Sequence, residues 1–373
     1  MTCPVGIDIR MIKNTGIGTY LRGLLSGLSD IGCLSGRNFS LFGPESPEIY
    51  RELRHYAFGS RIYTVSEQVQ YLRHLGRCRV WHAPHYNVPV VRGKTKLVVT
   101  IHDIIHWIYR KGVLNPVQTF YARTMLSRAA RYSDHIIAVS ARTRDDLVEH
   151  FHADPSRITV IHEGVDPAVR RTSDAEIEAV KAKYGIRGSY FIYVGLLKPH
   201  KNVVWLIQRF KGLAESGAIR SKLVVIGRKD KRYPKGYEAY SDISTDQTVV
   251  YIPTVSFDDL RALYSGARSL LHPSFYEGFG LTLLEAMACE TPVAAFRTGS
   301  IPEIAGDAAW LIEPNSEKEF RDAVVGLETQ PRLREEWVSK GRERVRQFSW
   351  QQTARETVTV YEKVLGKKLS GGG

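Results

Sequence analysis

The chain has 373 residues, of which 43% are hydrophobic and 24% charged, a composition typical of a soluble globular protein long enough for two domains. It contains no run of eighteen apolar residues, which excludes a conventional membrane-spanning helix. The formal net charge of +13 is unevenly distributed, because residues 51–144 carry sixteen Lys and Arg against four Asp and Glu.

The first half of the chain alternates short β-branched runs with amphipathic stretches. Its N-terminus enters a strand at once, without the basic and apolar segments of a signal peptide, so we expect a cytoplasmic protein. Strands are predicted at residues 5–9, 39–42, 61–65, 80–83, 97–101, 135–139 and 158–162, and helices at 18–28, 117–132 and 143–150. Most of the strands are continuous apolar runs, the pattern of parallel strands buried on both faces.

The second half repeats this alternation. Strands are predicted at 190–194, 223–226, 248–252, 268–272, 292–295 and 308–312, and helices at 203–214, 257–265, 281–288, 317–329 and 350–365. Two series of βαβ units predict an α/β fold with two Rossmann-like, doubly wound parallel-sheet domains facing across a cleft. The polar stretch 167–189 suggests the boundary, which gives an N-terminal domain at 1–170, a C-terminal domain at 185–349 and a helix at 350–366 that crosses back to the first domain.

Two basic clusters lie in the first domain. One comprises Arg73, Arg77, Arg79, Arg92, Lys94 and Lys96, and the other Arg110, Lys111, Arg123, Arg128 and Arg131. Such clusters attract nucleic acid, phosphorylated substrates or acidic lipid headgroups. Interleaved aromatic residues, including Trp107 and Phe120, make a membrane-surface patch plausible. A basic face that is merely solvated is the other interpretation.

The most informative stretch is Glu277-Gly278-Phe279-Gly280-Leu281-Thr282-Leu283-Leu284-Glu285. It places two carboxylates eight residues apart around a Gly-Phe-Gly turn, directly before an apolar helical pattern. A helix beginning near Gly280 would point backbone N–H groups and the positive end of its dipole at a diphosphate. Each Glu can accept two hydrogen bonds from vicinal hydroxyls. Two sugars flanking a diphosphate describe a nucleotide-sugar, and an ordinary loop with two surface acids is the alternative.

Five further stretches occur in a fixed order along the chain. They are Thr15-Gly16-Ile17-Gly18, His102-Asp103, Gly164-Val165-Asp166, Gly195-Leu196-Leu197-Lys198-Pro199-His200-Lys201-Asn202 and Gly299-Ser300-Ile301-Pro302-Glu303. Together with residues 277–285 they resemble the motifs of glycosyltransferase family 4, retaining enzymes of GT-B fold. The resemblance covers nearly the whole chain, and the form of the 195–202 motif resembles mannosyl- and rhamnosyl-transferring members.

The resemblance implies a donor site in the second domain. Glu285 would bind the ribose hydroxyls of the nucleotide, and Glu277 would bind hydroxyls of the transferred sugar. The base would lie against the loop at Val255, where backbone contacts leave its identity open. The diphosphate or sugar would face the N–H groups of Gly278, Phe279, Gly280 and Leu281, assisted by the hydroxyl of Thr282.

The resemblance also implies a cation for the leaving group. Lys201 would neutralise the departing diphosphate, where charge develops in the transition state. Many family members place Arg beside the first glycine of this motif, where this chain has Leu196. Arg228 or Lys198 would then have to supply the second cation.

In the first domain, His102 would contact the transferred sugar near its C6 hydroxyl and reacting centre. Gly16 and Gly18 would form a close-packed turn at the start of a helix, beside the donor phosphates and the acceptor. Arg10 and Asn14 precede this turn and are candidates for acceptor contact.

We therefore expect a retaining glycosyltransferase that moves a sugar from a nucleotide diphosphate to a hydroxyl of a lipid-linked or polysaccharide acceptor. GDP-mannose is the first choice of donor, and UDP- and dTDP-sugars stay open. No dedicated nucleophile and no Asp-x-Asp metal motif stand out, which favours a front-face mechanism without metal or cofactor. Domain closure would bring the first domain onto the donor. The basic domain would hold the enzyme peripherally on the inner face of the plasma membrane.

Three other functions are open. A GT-B relative could hydrolyse or epimerise a nucleotide-sugar without an acceptor. A nucleic-acid-binding protein would use the basic face, but it would leave Glu277, Lys201 and Glu285 without a role. An inactive relative could bind sugars only, which the intact set of Glu277, Lys201, Glu285 and His102 argues against.

Overall fold

A computed structural model describes residues 3–45, 48–60, 62, 64–109, 116–229 and 247–369. The chain divides into two compact units, one formed by Met1–Gly164 and Phe348–Gly373 and the other by Val165–Gln347. The polar stretch 167–189, where the sequence suggests the boundary, lies in the second unit and contains a helix. Among the described residues, no helix combines the length and apolar character that a membrane crossing demands.

The first unit is built on a parallel seven-stranded sheet. Its strands are β1 (Cys3–Asp8), β2 (Phe39–Gly43), β3 (Arg54–Ala57), β4 (Cys78–Ala83), β5 (Lys96–Ile101), β6 (His135–Ala138) and β7 (Ile158–Val160), in the order β3-β2-β1-β4-β5-β6-β7. Its helices are α1 (Ile17–Asp30), α2 (Val65–His74), α3 (Ile105–Ile108), α4 (Pro116–Tyr132), α5 (Ala141–Phe151) and the last helix, α13 (Trp350–Leu365). The sheet is buried between helices on both faces, as its apolar strands require.

The predicted strand at 61–65 is wrong. The third strand is β3, which pairs with β2 from Ser40 opposite Arg54 onward. Val65 instead begins α2, because Thr64 caps this helix by accepting a hydrogen bond from the amide of Glu67. The β-branched residues of this stretch therefore mark a helix start, and Arg61 and Tyr63 lie outside the described residues.

The last helix packs against α1 through glycines. A Cβ atom at Gly23 would lie 2.0 Å from the indole of Trp350, and one at Gly27 would lie 2.1 Å from the carbonyl oxygen of Trp350. Only a residue without a side chain permits this approach. The two helices then bury Trp350 against the same side of the sheet as Tyr20 and Tyr361.

The second unit has a parallel six-stranded sheet. Its strands are β8 (Tyr190–Val194), β9 (Lys222–Ile226), β10 (Val249–Ile252), β11 (Leu270–His272), β12 (Val293–Phe296) and β13 (Trp310–Ile312), in the order β10-β9-β8-β11-β12-β13. Its helices are α6 (Asp174–Lys183), α7 (Val203–Glu215), α8 (Phe257–Ser265), α9 (Leu281–Ala288), α10 (Ile301–Ala305), α11 (Glu317–Thr329) and α12 (Pro331–Val345). The prediction of two parallel-sheet α/β domains is confirmed.

The strand order of the second unit locates a ligand site. The chain leaves β8 towards one edge of the sheet and leaves β11 towards the other, so the two connections part between these neighbours. In doubly wound sheets, ligands bind in the crevice at the carboxyl ends of such strands. The segments that follow β8 and β11 are residues 195–202 and 273–280, which are two of the stretches that carry the resemblance.

Candidate active site

The helix that follows β11 begins without a side-chain cap. Gly280 is its N-cap residue, with a φ of 113°, and no side chain forms a capping hydrogen bond there. The first turn of α9 contains no acidic residue. The first amides of a helix have no partner within the helix, and they carry the positive end of its dipole. The start of α9, with Leu281 and Thr282 in its first turn, is therefore suited to an anion.

The loop before this helix is fixed by residues from the start of α10. The hydroxyl of Ser300 donates towards the carbonyl oxygens of Glu277 (3.1 Å) and Phe279 (2.6 Å). Gly299 has a φ of 55°, and a Cβ atom on it would lie 2.7 Å from the carbonyl oxygen of Glu277. The 299–303 motif therefore has a structural role, which is to hold the main chain of the 277–280 loop in place.

Lys201 and His272 converge on one oxygen of Glu277. The Lys201 ammonium lies 2.5 Å from Oε1 of Glu277, and Nε2 of His272 lies 2.8 Å from the same atom. Burial alone would raise the pKa of Glu277, but the charge of Lys201 and the His272 hydrogen bond hold it well below its usual range. Nδ1 of His272 has no hydrogen-bond partner among the described residues, so its Nε2 carries the proton that Glu277 accepts.

Lys201 reaches this position through a short turn after β8. Residues Pro199–Lys201 form one turn of 3-10 helix, and Asn202 follows with a left-handed φ of 53° before α7 begins. The carbonyl oxygen of His200 accepts a hydrogen bond from the amide of Phe275 at 2.8 Å, which joins this turn to the segment after β11. A cation and an uncapped helix start therefore lie at the same edge of the sheet, as diphosphate binding requires.

Glu285 lies in the second turn of α9. Its Oε2 atom is 3.4 Å from the hydroxyl of Tyr264, which is fully buried. Burial raises the pKa of Glu285 to about 7; the charge of Asp166 adds to this, and the hydrogen bond from Tyr264 opposes it. Ligand hydroxyls that donate hydrogen bonds to this carboxylate would stabilise its ionised form.

Two predicted donor residues follow β9 and β10, which lie beyond β8 in the sheet, on the side away from β11. Arg228 follows β9, and its carbonyl oxygen accepts a hydrogen bond from the amide of Leu197 at 3.1 Å, while its side chain is exposed. Val255 lies in the loop after the edge strand β10. In the described part of the chain, no hydrogen bond or ion pair joins either residue to Lys201 or Glu277.

His102 of the first unit sits at the carboxyl end of β5. Its Nδ1 atom lies 2.8 Å from Oε1 of Glu163, and its Nε2 atom lies 3.1 Å from the carbonyl oxygen of Pro84. The ring of Tyr20 meets it edge-on, with ring centroids 4.9 Å apart. Both ring nitrogens therefore face an oxygen of the protein, which fixes the orientation of the ring.

Sequence reasoning missed Glu163, which is 4% exposed. Its signal was available, because a carboxylate stands directly before the Gly164-Val165-Asp166 motif at the end of an apolar strand. His272 was missed as well, although it ends β11 five residues before Glu277. Both residues contact a predicted site residue, and both are more buried than that residue.

The glycine turn of the first unit is close-packed. Gly16 is the N-cap of α1, with a φ of 66°, and a Cβ atom at Gly18 would lie 2.6 Å from the carbonyl oxygen of Ile12. Arg10, a candidate for acceptor contact, lies in the segment before this turn. Its side chain is 6% exposed and forms ion pairs with Asp8 (2.5 Å) and Glu67 (2.6 Å), so it is used within the fold.

One group of possible metal ligands occurs among the described residues, formed by Asp146, Glu149 and His150 on α5. Asp146 is already paired with Arg142 at 2.6 Å. The group contains none of the predicted site residues.

Two family profiles match the chain. Residues 176–344 match the profile of the group 1 glycosyl transferases, and residues 16–169 match that of Glycosyltransferase Family 4. O-antigen chain mannosyltransferase B of Escherichia coli is 27% identical over 285 residues, which cover 76% of this chain and 74% of that relative. O-antigen chain mannosyltransferase RfbU of Salmonella typhimurium is 28% identical over 247 residues, which cover 66% of this chain and 64% of that relative.

Solved structures share the architecture. WaaG, a glycosyltransferase involved in lipopolysaccharide biosynthesis, superposes with a TM-score of 0.73 at 17% identity, covering 97% of this chain and 100% of its own. HepE of Anabaena, solved with UDP and glucose, gives a TM-score of 0.77 at 15% identity, with the same coverage of both chains. At these identities the likeness concerns the fold alone, and it confirms the predicted GT-B class.

Proposed function

The chain belongs to glycosyltransferase family 4, and on that premise we propose that it transfers mannose from GDP-mannose to a hydroxyl of a glycan acceptor, with retention at the anomeric carbon. The observation that carries the proposal is the convergence of Lys201 on Glu277 beside the uncapped start of α9. This arrangement provides a cation, helix amides and a sugar-binding carboxylate at the carboxyl ends of two neighbouring strands, β8 and β11.

In the proposed complex, the diphosphate lies at the start of α9. The amides of Gly278, Phe279, Gly280 and Leu281 and the hydroxyl of Thr282 face it or the sugar. Glu277 accepts hydrogen bonds from sugar hydroxyls, and its low pKa keeps it ionised for that purpose. Glu285, one and a half turns along the helix, accepts hydrogen bonds from the ribose.

The reaction that we propose is a front-face substitution. The bond between the anomeric carbon and the phosphate oxygen breaks, the acceptor oxygen bonds to the same face of that carbon, and the acceptor proton passes to the leaving phosphate oxygen. Charge grows on the diphosphate, where the ammonium of Lys201 and the helix amides stabilise it. The protein supplies position and electrostatics, and we expect no metal or cofactor to be required.

We assign His102 to the transferred sugar and Glu163 to the positioning of His102. The 2.8 Å contact between them fixes the orientation of the ring, while Pro84 fixes its other nitrogen. A positioned ring loses little freedom when it contacts the substrate, which is how such support lowers a barrier. Gly16, whose Cβ position has no neighbour within 4 Å, leaves space at the start of α1 for substrate to approach the main chain, and Gly18 lets the preceding turn pack closely onto the helix.

Mannose is favoured by the relatives, of which several are named as mannosyltransferases. Two of these names also refer to O-antigen chains, which supports a lipid-linked or polysaccharide acceptor. UDP-sugars are the competing donors, because HepE was solved with UDP-glucose. Arg228 and Val255 are the proposed contacts to the nucleotide side of the donor.

The test is product formation from GDP-mannose, UDP-glucose and dTDP-rhamnose, each offered with extracted lipid-linked saccharides. We expect transfer from GDP-mannose, an α-linked product by NMR and undiminished turnover in excess EDTA. An inverted linkage would contradict the retaining mechanism. Release of free mannose at the same rate without acceptor would favour a nucleotide-sugar hydrolase instead.

A further inference from the structure

Exposed hydrophobic side chains are concentrated in one part of the first unit. Seven of the nine exposed large hydrophobic side chains of the described chain lie between residues 69 and 132. Leu72 and Val91 are each 59% exposed, Val117 76% and Phe120 72%. The stretch 65–132 also contains eleven Lys and Arg but only two acidic residues, of which Glu67 is fully buried.

These side chains belong to one side of the sheet. Tyr71 and Leu75 from the region of α2 pack in the same core cluster as Met125 and Leu126 of α4, so both helices cover the same face. Residues 88–96 run between them. The amide of Val90 donates to Gln68 of α2 at 2.7 Å, and Arg128 of α4 donates to the carbonyl oxygen of Pro89 at 3.2 Å. We call the outer faces of α2 and α4, with residues 88–96, the basic–apolar surface.

Most cations of the basic–apolar surface are not neutralised. Arg92 and Lys96 pair with Asp134, whereas Arg73, Lys94, Arg123 and Arg131 form no ion pair with another described residue. α4 itself contains no acidic residue. A charged surface of one sign with exposed apolar side chains between the charges is costly in water alone, which points to a partner that is both anionic and apolar.

A cavity of about 570 Å³ opens in this surface. Leu72 and Val91 line it together with the cations Arg79, Lys94 and Lys96. It lies at the amino-terminal ends of β4 and β5, whereas His102 lies at the carboxyl end of β5. The cavity is therefore separate from the candidate active site, and its lining combines groups for a phosphate with groups for a hydrocarbon chain.

We propose that the basic–apolar surface binds a membrane through anionic phospholipids. Lys and Arg attract the headgroups, and side chains such as Phe120 and Leu72 enter the boundary between headgroups and acyl chains. The cavity receives a headgroup phosphate beside Lys94. Nucleic acid would match the charge, but it would leave the exposed aliphatic side chains in contact with water. The proposal is independent of the donor site, since none of these residues belongs to it.

The test uses the full chain and vesicles of phosphatidylcholine, with or without phosphatidylglycerol, in a sedimentation assay. The variant Phe120→Ser/Arg123→Glu/Arg131→Glu changes three exposed positions of α4. The matched control, Ile49→Ser/Arg37→Glu/Lys367→Glu, changes three exposed positions of the same unit outside the surface and alters net charge equally. Calorimetric titration with GDP shows whether each variant keeps its donor site.

We expect the wild type and the control to sediment with anionic vesicles and not with neutral ones. The α4 variant should lose on the order of tenfold or more in vesicle partition, since each basic residue near an anionic surface contributes about fivefold. Its GDP affinity should be unchanged. Equal vesicle binding by the two variants, or no binding by the wild type, would overturn the proposal. Salt-sensitive binding of the wild type to DNA without vesicle binding would assign the surface to nucleic acid.

Discussion

The ammonium of Lys201 lies 2.5 Å from a carboxylate oxygen of Glu277, although 76 residues separate them in the chain. Lys201 comes from the turn after β8 and Glu277 from the loop after β11, so the contact joins the two segments at the switch point of the sheet. The charge of Lys201 helps to hold the pKa of Glu277 well below its usual range, and the contact orients both side chains. A diphosphate at the start of α9 would meet a cation that is already in place, and this preorganisation is the basis of the first two predictions.

Replacement of Lys201 by Met should lower kcat by roughly 10²–10³, the usual cost of removing one group that stabilises transition-state charge. The affinity for GDP should fall less than kcat, because charge on the diphosphate grows during the reaction. Steady-state kinetics and calorimetry measure the two quantities. Lys318→Met, an exposed change on α11 of the same unit, is the control and should keep wild-type kcat. A Lys201→Met enzyme with wild-type kcat would remove Lys201 from the site.

The same substitution should destabilise the free protein, because it leaves the Glu277 carboxylate, 13% exposed, with His272 but without a cation. The double variant Lys201→Met/Glu277→Gln removes both charges and should therefore recover part of the lost Tm. Scanning fluorimetry of the two single variants and the double variant completes the cycle. Strictly additive losses in Tm would mean that the two groups are not coupled.

Glu285 predicts a pH dependence of nucleotide binding. Burial raises its pKa to about 7, and the ionised form is the better acceptor for ribose hydroxyls. GDP affinity should therefore rise with pH, by up to roughly tenfold between pH 6 and pH 8. The stability of the free protein should have the opposite pH dependence. Because the pKa of Glu285 is raised in the folded state, its contribution to stability declines as pH rises through about 7. Glu285→Gln should flatten the binding profile, and an unchanged slope would refute the assignment.

Donor binding should require the absence of a side chain at Gly299, and not only the positive φ that glycine allows there. A Cβ atom there would lie 2.7 Å from the carbonyl oxygen of Glu277, so Gly299→Ala should displace the loop and weaken GDP binding. Gly217→Ala is a matched control, because Gly217 has a φ of 72° with nothing near its Cβ position. Gly217→Ala should lose about 1 kcal/mol of stability through its φ alone, Gly299→Ala should lose more because of the main-chain clash, and only Gly299→Ala should lose affinity. Equal affinities would show that the loop tolerates the displacement.

Glu163 should act through His102. Either Glu163→Ala or His102→Ala should lower kcat, and the double variant should be no slower than His102→Ala, because the carboxylate has no other role in turnover. GDP affinity, a property of the second unit, should stay at the wild-type value in all three. Additive losses in kcat would contradict the positioning role, and a loss of GDP affinity would point to general disruption of the fold.

The strands of the second unit follow from the sequence because each is a continuous apolar run between polar loops. The strand predicted at 61–65 fails for a local reason, since Thr64 and Glu67 form a helix cap that outweighs the β-branched residues around them. The motifs indicate Lys201 and Glu277 separately, but the contact between them depends on the order of β8 and β11 in the sheet. The contact of Glu163 with His102 and the burial of Arg10 against Glu67 likewise depend on tertiary structure, because these partners are 61 and 57 residues apart in the chain.

The central claim is that the start of α9 and Glu285 form a nucleotide site, and calorimetric titration with GDP, UDP, dTDP and ADP tests it most directly. The account predicts saturable binding of one nucleotide, GDP, that weakens by at least roughly tenfold in Glu285→Ala and is unchanged in Glu336→Ala, an exposed acid on α12. Failure of all four nucleotides to bind, or equal affinity in Glu285→Ala and the wild type, would contradict it.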